Sequence, residues 1–160
     1  MFESAQKHEK EDNYKITERY GFFRPSSSDR KEIQKSFANI DIQIFGRGYD
    51  LIDLTTKNAI ANKSLSSIIK DICLYELKST WRKDVGSDFS GFGFGITENE
   101  IRNFLSLGNN FKIVFLNGIT ENIAIRYFRN IQNHYTHAAY FFTLGNKRGK
   151  TILFEDVELI

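Results

Sequence analysis

Apolar and polar residues follow two different periods along this chain, and the changes of period mark out its elements. Glu3 to Tyr20 is polar and reads as a frayed helix, which Pro25 and the serines Ser26, Ser27 and Ser28 bring to an end. Asp29 is placed to cap the next helix, with Glu32 three residues later as its partner. Ile33, Phe37 and Ile40 give that helix an apolar stripe. From Asp41 the period falls to that of strands. Ile42 and Ile44 lead to the turn Gly46-Arg47-Gly48, and Tyr49 to Thr55 return, which predicts a hairpin. Lys57 to Ser67 is polar and reads as a loop with a short helical turn.

Ile72 to Thr80 is a mostly apolar strand, followed by a glycine-bearing loop from Trp81 to Gly95. Thr97 is a good N-cap, Glu100 holds the partner position, and Ile101, Phe104, Leu105 and Leu107 form a helical stripe that Gly108 closes. Phe111 to Leu116 is rich in strand formers, and Ile119 to Asn133 fits helix and strand equally. Ala138 to Leu144 and Thr151 to Leu159 read as two strands joined by Gly145-Asn146-Lys147-Arg148-Gly149. The central order of helix, strand, strand, strand, helix, strand predicts a mixed sheet with helices packed on it, an α/β or α+β fold.

At 160 residues, 41% hydrophobic and 26% charged, the chain is long enough for one domain with its own core over 1–160. A net charge of +2 excludes indiscriminate polyanion binding and leaves nucleic acid to local patches. One cysteine, Cys73, excludes a disulfide framework and a cysteine-based zinc site. No apolar run is long enough to span a bilayer, and Met1 to Asp12 lacks the apolar centre of a signal peptide, so a cytoplasmic protein with no membrane partner is expected.

The chemistry concentrates at the end of the strand Ile72 to Thr80. In a strand, side chains two apart share a face, so Glu76 and Lys78 point the same way and follow Ile72 and Leu74 on that face. Buried charges need a partner or a metal. Upstream, Asp50 opens the run Tyr49 to Thr55, and an Asp followed by Glu-x-Lys on a neighbouring strand is able to hold a divalent cation and activate water. Asp53 competes with Asp50, but three residues apart on a strand they face opposite sides. Asp50 is preferred because it lies at the strand's mouth after a glycine turn. Taken alone, Glu76 and Lys78 also fit an exposed salt bridge at a strand end.

Gly48-Tyr49-Asp50, Glu76-Leu77-Lys78 and the central element order together resemble the PD-(D/E)XK nuclease superfamily, the restriction-endonuclease-like fold. Phe94 to Glu100 is similar to the loop-to-helix stretch that follows the E-x-K strand in some of these domains, including small ones found with restriction and defence systems. The likeness covers about residues 29–116 and leaves 117–160 as a C-terminal extension; Tyr49 stands where the family's proline would precede the aspartate. It implies a metal-dependent endonuclease that cuts DNA by in-line attack, with RNA the other substrate the same chemistry would serve. Asp50, Glu76 and Lys78 would be catalytic. Asp50, Glu76 and the Leu77 carbonyl would hold Mg²⁺, with Mn²⁺ able to substitute, and Lys78 would stand by the attacking water.

Further carboxylates are available in Glu18, Glu32 and Glu100, though solvated helix surface explains the first two and capping explains the third. Trp81, Arg82 and Lys83 follow the site directly and are candidates for nucleic-acid contact by stacking and phosphate pairing. His134 and His137 lack a third metal ligand, and Lys147, Arg148 and Lys150 read as a soluble turn. A staggered double-strand cut needs two active sites, which points to a homodimer or a partner subunit. The competing reading keeps the fold and drops catalysis: a nucleic-acid-binding or assembly subunit.

Overall fold

Helix α1 (Phe2–Arg19) ends at Gly21, whose φ of +85° turns the chain into the two-residue strand β1 (Phe22–Phe23). The structure, a computed structural model, describes residues 2–89, 92–128, 141–144 and 150–153. Helix α2 (Ser27–Ala38) is capped by Ser26, not by Asp29 as expected. The Ser26 hydroxyl accepts the Asp29 N–H at 3.1 Å, and the Asp29 carboxylate accepts the Ser26 N–H at 2.8 Å. This reciprocal box satisfies two N-terminal donors one turn earlier than an Asp29 cap would. Ile33 and Phe37 carry the helix's buried stripe, and Ile40 packs just beyond its end.

The predicted hairpin does not form. Residues 42–45 make no ladder: the Ile42 N–H goes to the Phe37 carbonyl, and side chains take backbone groups of Ile44 and Phe45. Gln34 donates to the Ile44 carbonyl at 3.1 Å, and the Asn103 amide accepts the Phe45 N–H at 2.8 Å and donates to the Phe45 carbonyl at 2.9 Å. Strand β2 (Leu51–Asp53) pairs with β1 on one side. It is short because Asp53 accepts the Thr56 N–H at 2.9 Å and starts helix α3 (Leu54–Ala61). The segment read as a loop is therefore largely helical, α3 followed by a 3₁₀ turn over Leu65–Asp71.

Strand β3 (Leu74–Thr80) carries Glu-x-Lys. After the loop come the two-residue β4 (Ile96–Thr97), helix α4 (Glu98–Leu107) and strand β5 (Phe111–Asn117). The expected cap of α4 is present in full, Thr97 and Glu100 forming a capping box and Gly108 closing the helix with φ +56°. The ambiguous stretch after β5 contains strand β6 (Ile123–Tyr127). Five strands form one mixed sheet in the order β1-β2-β3-β5-β6. β3 runs antiparallel to β2 and parallel to β5, with α4 in the crossover, and β6 returns antiparallel to β5. The sheet thus draws on chain outside 29–116 at both ends, and its strands alternate with helices more than the sequence order implied.

Strands β7 (Phe141–Leu144) and β8 (Lys150–Leu153) pair antiparallel, with β4 parallel to β7. β7 lies within the strand expected there, and β8 begins one residue early at Lys150, which was read with the turn; residues 138–140, 145–149 and 154–159, and with them Lys147, Arg148, His134 and His137, lie outside the described residues.

The sheet's two faces carry different cores. One face buries Ile52, Leu74, Ile113 and Phe115 against Ile33 and Phe37 of α2, Ala59 of α3, Ile101 and Phe104 of α4, and the loop aromatics Phe89 and Phe92. The other gathers Phe22, Leu51, Tyr75 and Val114, with Tyr14 of α1 packed on them. Helices thus flank a mixed sheet, the expected α/β fold class. Among the described residues no helix is long and apolar enough to cross a membrane.

Candidate functional site

The alternation of β3 sets the geometry. Ile72 and Leu74 lie in the larger core, and Glu76 and Lys78 follow on the same face, toward α4. There the Lys78 ammonium lies 3.0 Å from Glu76 Oε1 and 2.9 Å from Glu100 Oε1. All three side chains are almost withdrawn from solvent, at 12% exposure for Lys78, 9% for Glu76 and 5% for Glu100. The pair is therefore not an exposed salt bridge. Glu100 uses its second oxygen to accept the Thr97 N–H at 2.7 Å, so one carboxylate both caps α4 and holds Lys78.

Asp50 reaches the same strand from the side. Its own N–H donates to the Tyr75 carbonyl at 2.8 Å, and its carboxylate accepts the Leu77 N–H at 3.1 Å. Within a strand a residue's N–H and C=O lie on the same side, so the Leu77 carbonyl faces the same edge. Asp53 is engaged elsewhere, capping α3 and accepting the Tyr75 hydroxyl at 3.0 Å. Of the two aspartates, only Asp50 is bonded to the β3 backbone at Leu77.

Two carboxylates therefore hold one ammonium, and Asp50 acts on Glu76 as a further negative charge. Burial pushes the Glu76 carboxyl well above its ordinary value; Lys78 opposes the shift, and Asp50 and Glu100 add to it. For Lys78, burial acts to lower the value, but Glu76 and Glu100 outweigh it and the ammonium is held above its ordinary range. Burial beside other carboxylates thus favours the protonated form of Glu76 unless a cation partners it. Among the described residues, no group of three or more histidine, cysteine, aspartate or glutamate side chains is arranged to hold a metal ion. The donors expected for Mg²⁺ are two carboxylates and a backbone carbonyl, all hard oxygens, and Asp50 and Leu77 already meet at one strand edge. The donor types suit a hard cation, while Glu76 is turned to Lys78 and does not border the cleft where Asp50 and Leu77 lie.

β2 pairs with β3 only as far as Leu51 opposite Tyr75, so β3 from Leu77 onward has an open edge. A cleft of about 430 Å³ lies along it, walled by Asp50, Leu77, Ser79 and Thr80 on the sheet side and by Glu9, Lys10, Asn13 and Tyr14 of α1 across from them, with Trp81 at the end. Glu76 and Lys78 are not in this wall: the predicted site residues divide between the cleft and the interior beneath α4. Burial and the nearby Asp50 raise the Tyr14 phenol above its ordinary value. Asn13 donates to Ser79 Oγ at 2.9 Å and accepts the Trp81 indole N–H at 3.1 Å, which fixes both α1 and the indole against β3.

Of the three residues after β3, Trp81 alone borders the cleft. Arg82 is turned to Asp84 at 2.7 Å on the surface, and Lys83 is exposed. Glu18 and Glu32 line no part of the cleft, whereas Glu100 joins the cluster. Asn13, Tyr14 and Asn103 escaped the sequence reading; the first two sit in a helix whose polarity offered no stripe, and Asn103 is an amide buried beside Ile101 and Phe104 on α4. Comparison of the chain with family models, with curated proteins and with solved structures returns no match.

Proposed function

We propose that this chain is a metal-dependent endonuclease of the PD-(D/E)XK type, hydrolysing phosphodiester bonds in DNA in the cytoplasm, in a restriction or defence setting. What carries the reading is the meeting of Asp50 with the Leu77 amide on the strand that presents Glu76 and Lys78. Asp50, Glu76 and the Leu77 carbonyl would hold Mg²⁺ or Mn²⁺. Bound there, the ion would acidify a water and polarise a phosphoryl oxygen.

The chain's own residues do the rest. The Leu77 N–H orients the Asp50 carboxylate. Lys78 has three N–H donors, and Glu76 and Glu100 take two, leaving one for a water or a phosphate oxygen. Because two carboxylates hold the ammonium in place, its charge is positioned before substrate arrives, and no reorganisation is needed as negative charge builds on the phosphate. A homodimer or partner subunit would supply the second site for a double-strand cut.

One observation favours a second reading. Lys78 is well satisfied by its two carboxylates and almost buried, as a purely structural triad would be. The protein would then be a non-catalytic nucleic-acid-binding or assembly subunit. Calorimetric titration with Mn²⁺ separates the two. The nuclease reading expects binding that is abolished in the Asp50→Ala, Glu76→Ala double variant. Equal binding, or none in the folded wild type, leaves the structural triad.

A further inference from the structure

The cleft beside Asp50 has a composition that the metal site does not explain. Its end is Trp81, the only tryptophan of the chain. The indole N–H is tied to Asn13, and the ring rests so closely on Gly118 that a Cβ there would come within 2.2 Å of Trp81 Cε2. A ring held by a hydrogen bond on its edge and a glycine beneath it loses little freedom on stacking, so it is a prepared platform. Across from the sheet, α1 brings Lys10 and Tyr14 to the same space, with Glu9 beside Lys10. The volume of about 430 Å³ is that of a small-molecule site, suited to one nucleotide unit.

We propose that the cleft between α1 and the open edge of β3 receives one unpaired nucleotide of a single-stranded nucleic acid, its base against Trp81 and its phosphate toward Lys10. Bases inside a duplex have both π-faces covered by their neighbours, so only an unpaired or splayed base offers a face to the indole. The carboxylate of Glu9 offsets Lys10, so stacking rather than phosphate charge carries the affinity, and binding depends only weakly on salt. This inference rests on the nuclease reading for the meaning of Asp50, whose carboxylate borders the same cleft.

Trp81 is its own reporter. The full-length protein is titrated with a short oligothymidylate and with a blunt hairpin duplex, in EDTA and again in Ca²⁺, and tryptophan emission is read. Single strand is expected to quench Trp81 in at least one buffer, with the duplex about tenfold weaker or silent. By anisotropy with a labelled oligothymidylate, Trp81→Ala and Tyr14→Ala are expected to weaken binding about tenfold, the loss of one aromatic partner. Equal quenching by duplex, no quenching in either buffer, or unchanged affinity in folded Trp81→Ala protein overturns the proposal. The readout is binding, so quenching without any cleavage would sink the nuclease reading alone. Plasmid cleavage without quenching would sink only this inference.

Discussion

Lys78 on β3 and Glu100 on α4, 22 residues apart in sequence, meet at 2.9 Å inside the protein. The contact ties the strand that carries Glu-x-Lys to the helix that crosses behind it. Together with Glu76 it leaves a buried ammonium between two carboxylates.

Removing the ammonium strands those carboxylates. Lys78→Met is expected to cost about 3–5 kcal/mol, the penalty for an uncompensated buried charge. Urea denaturation at neutral pH measures it. A loss below about 1 kcal/mol would mean that water reaches the cluster freely.

Glu100 has two tasks, and two substitutions separate them. A glutamine keeps an oxygen for the Thr97 N–H but loses the charge at Lys78; an alanine loses both. Glu100→Ala should therefore lower stability by about 1 kcal/mol more than Glu100→Gln, the worth of a cap. Thermal melts of the two variants give the comparison, and identical melting points would show that the capping bond contributes nothing.

Stability should depend on pH in an unusual direction through Glu76. Its carboxyl is raised in the fold by burial, with Asp50 and Glu100 adding to the shift over the opposition of Lys78. Above about pH 4.3, the ordinary glutamate value, the unfolded chain releases that proton while the native state still holds it. The unfolded state then binds fewer protons, so this contribution to stability falls as pH rises toward the folded value. Lys78, raised in the fold, is charged in both states over this range and adds no slope. Glu76→Gln removes the dependence, so the variant should gain on wild type between pH 4 and pH 7 in paired denaturation curves, on the order of the raised value's window. A constant difference would contradict the shift.

Asn103 replaces the missing hairpin. Its amide serves both backbone groups of Phe45, and it packs where Gly48 passes so close to α4 that a Cβ would lie 2.5 Å from the Asn99 carbonyl oxygen. Asn103→Leu leaves the half-buried N–H and C=O of Phe45 without their side-chain partner, at about 1 kcal/mol for each. Because this loop delivers Asp50 to β3, hydrogen exchange at the Leu77 amide should also quicken. Unchanged exchange would mean that Asp50 is held without Asn103.

Much of the site was legible from local pattern. The alternation through Ile72, Leu74, Glu76 and Lys78 fixed which side chains share a face, and Thr97 with Glu100 gave the helix start, because both depend on residues near in sequence. What failed depended on distant partners. Ile42 and Ile44 have strand periodicity, yet Gln34 and Asn103 take their neighbourhood's backbone groups, and nothing local announces an amide 58 residues away. Asp53 lies in strand β2 as expected and also caps α3, a task its sequence did not show because its partner Thr56 was hidden in a segment of weak helical character. Glu100 stayed open between cap and additional carboxylate, because the capping pattern is complete without Lys78; the structure gives it both tasks. The cleft was invisible, being made by the late start of β2 at Leu51 and the arrival of α1.

The most direct measurement incubates supercoiled plasmid and a single-stranded circle with the purified protein in Mg²⁺ or Mn²⁺, with EDTA and Asp50→Asn as controls. The asparagine keeps an acceptor for the Leu77 N–H, so the variant should fold, while losing the charge that would bind metal. Nicking or linearisation by the wild type alone, and only with metal, is the predicted result. Intact DNA under every condition, or cleavage that survives in Asp50→Asn, would contradict a metal-dependent nuclease centred on Asp50, Glu76 and Lys78.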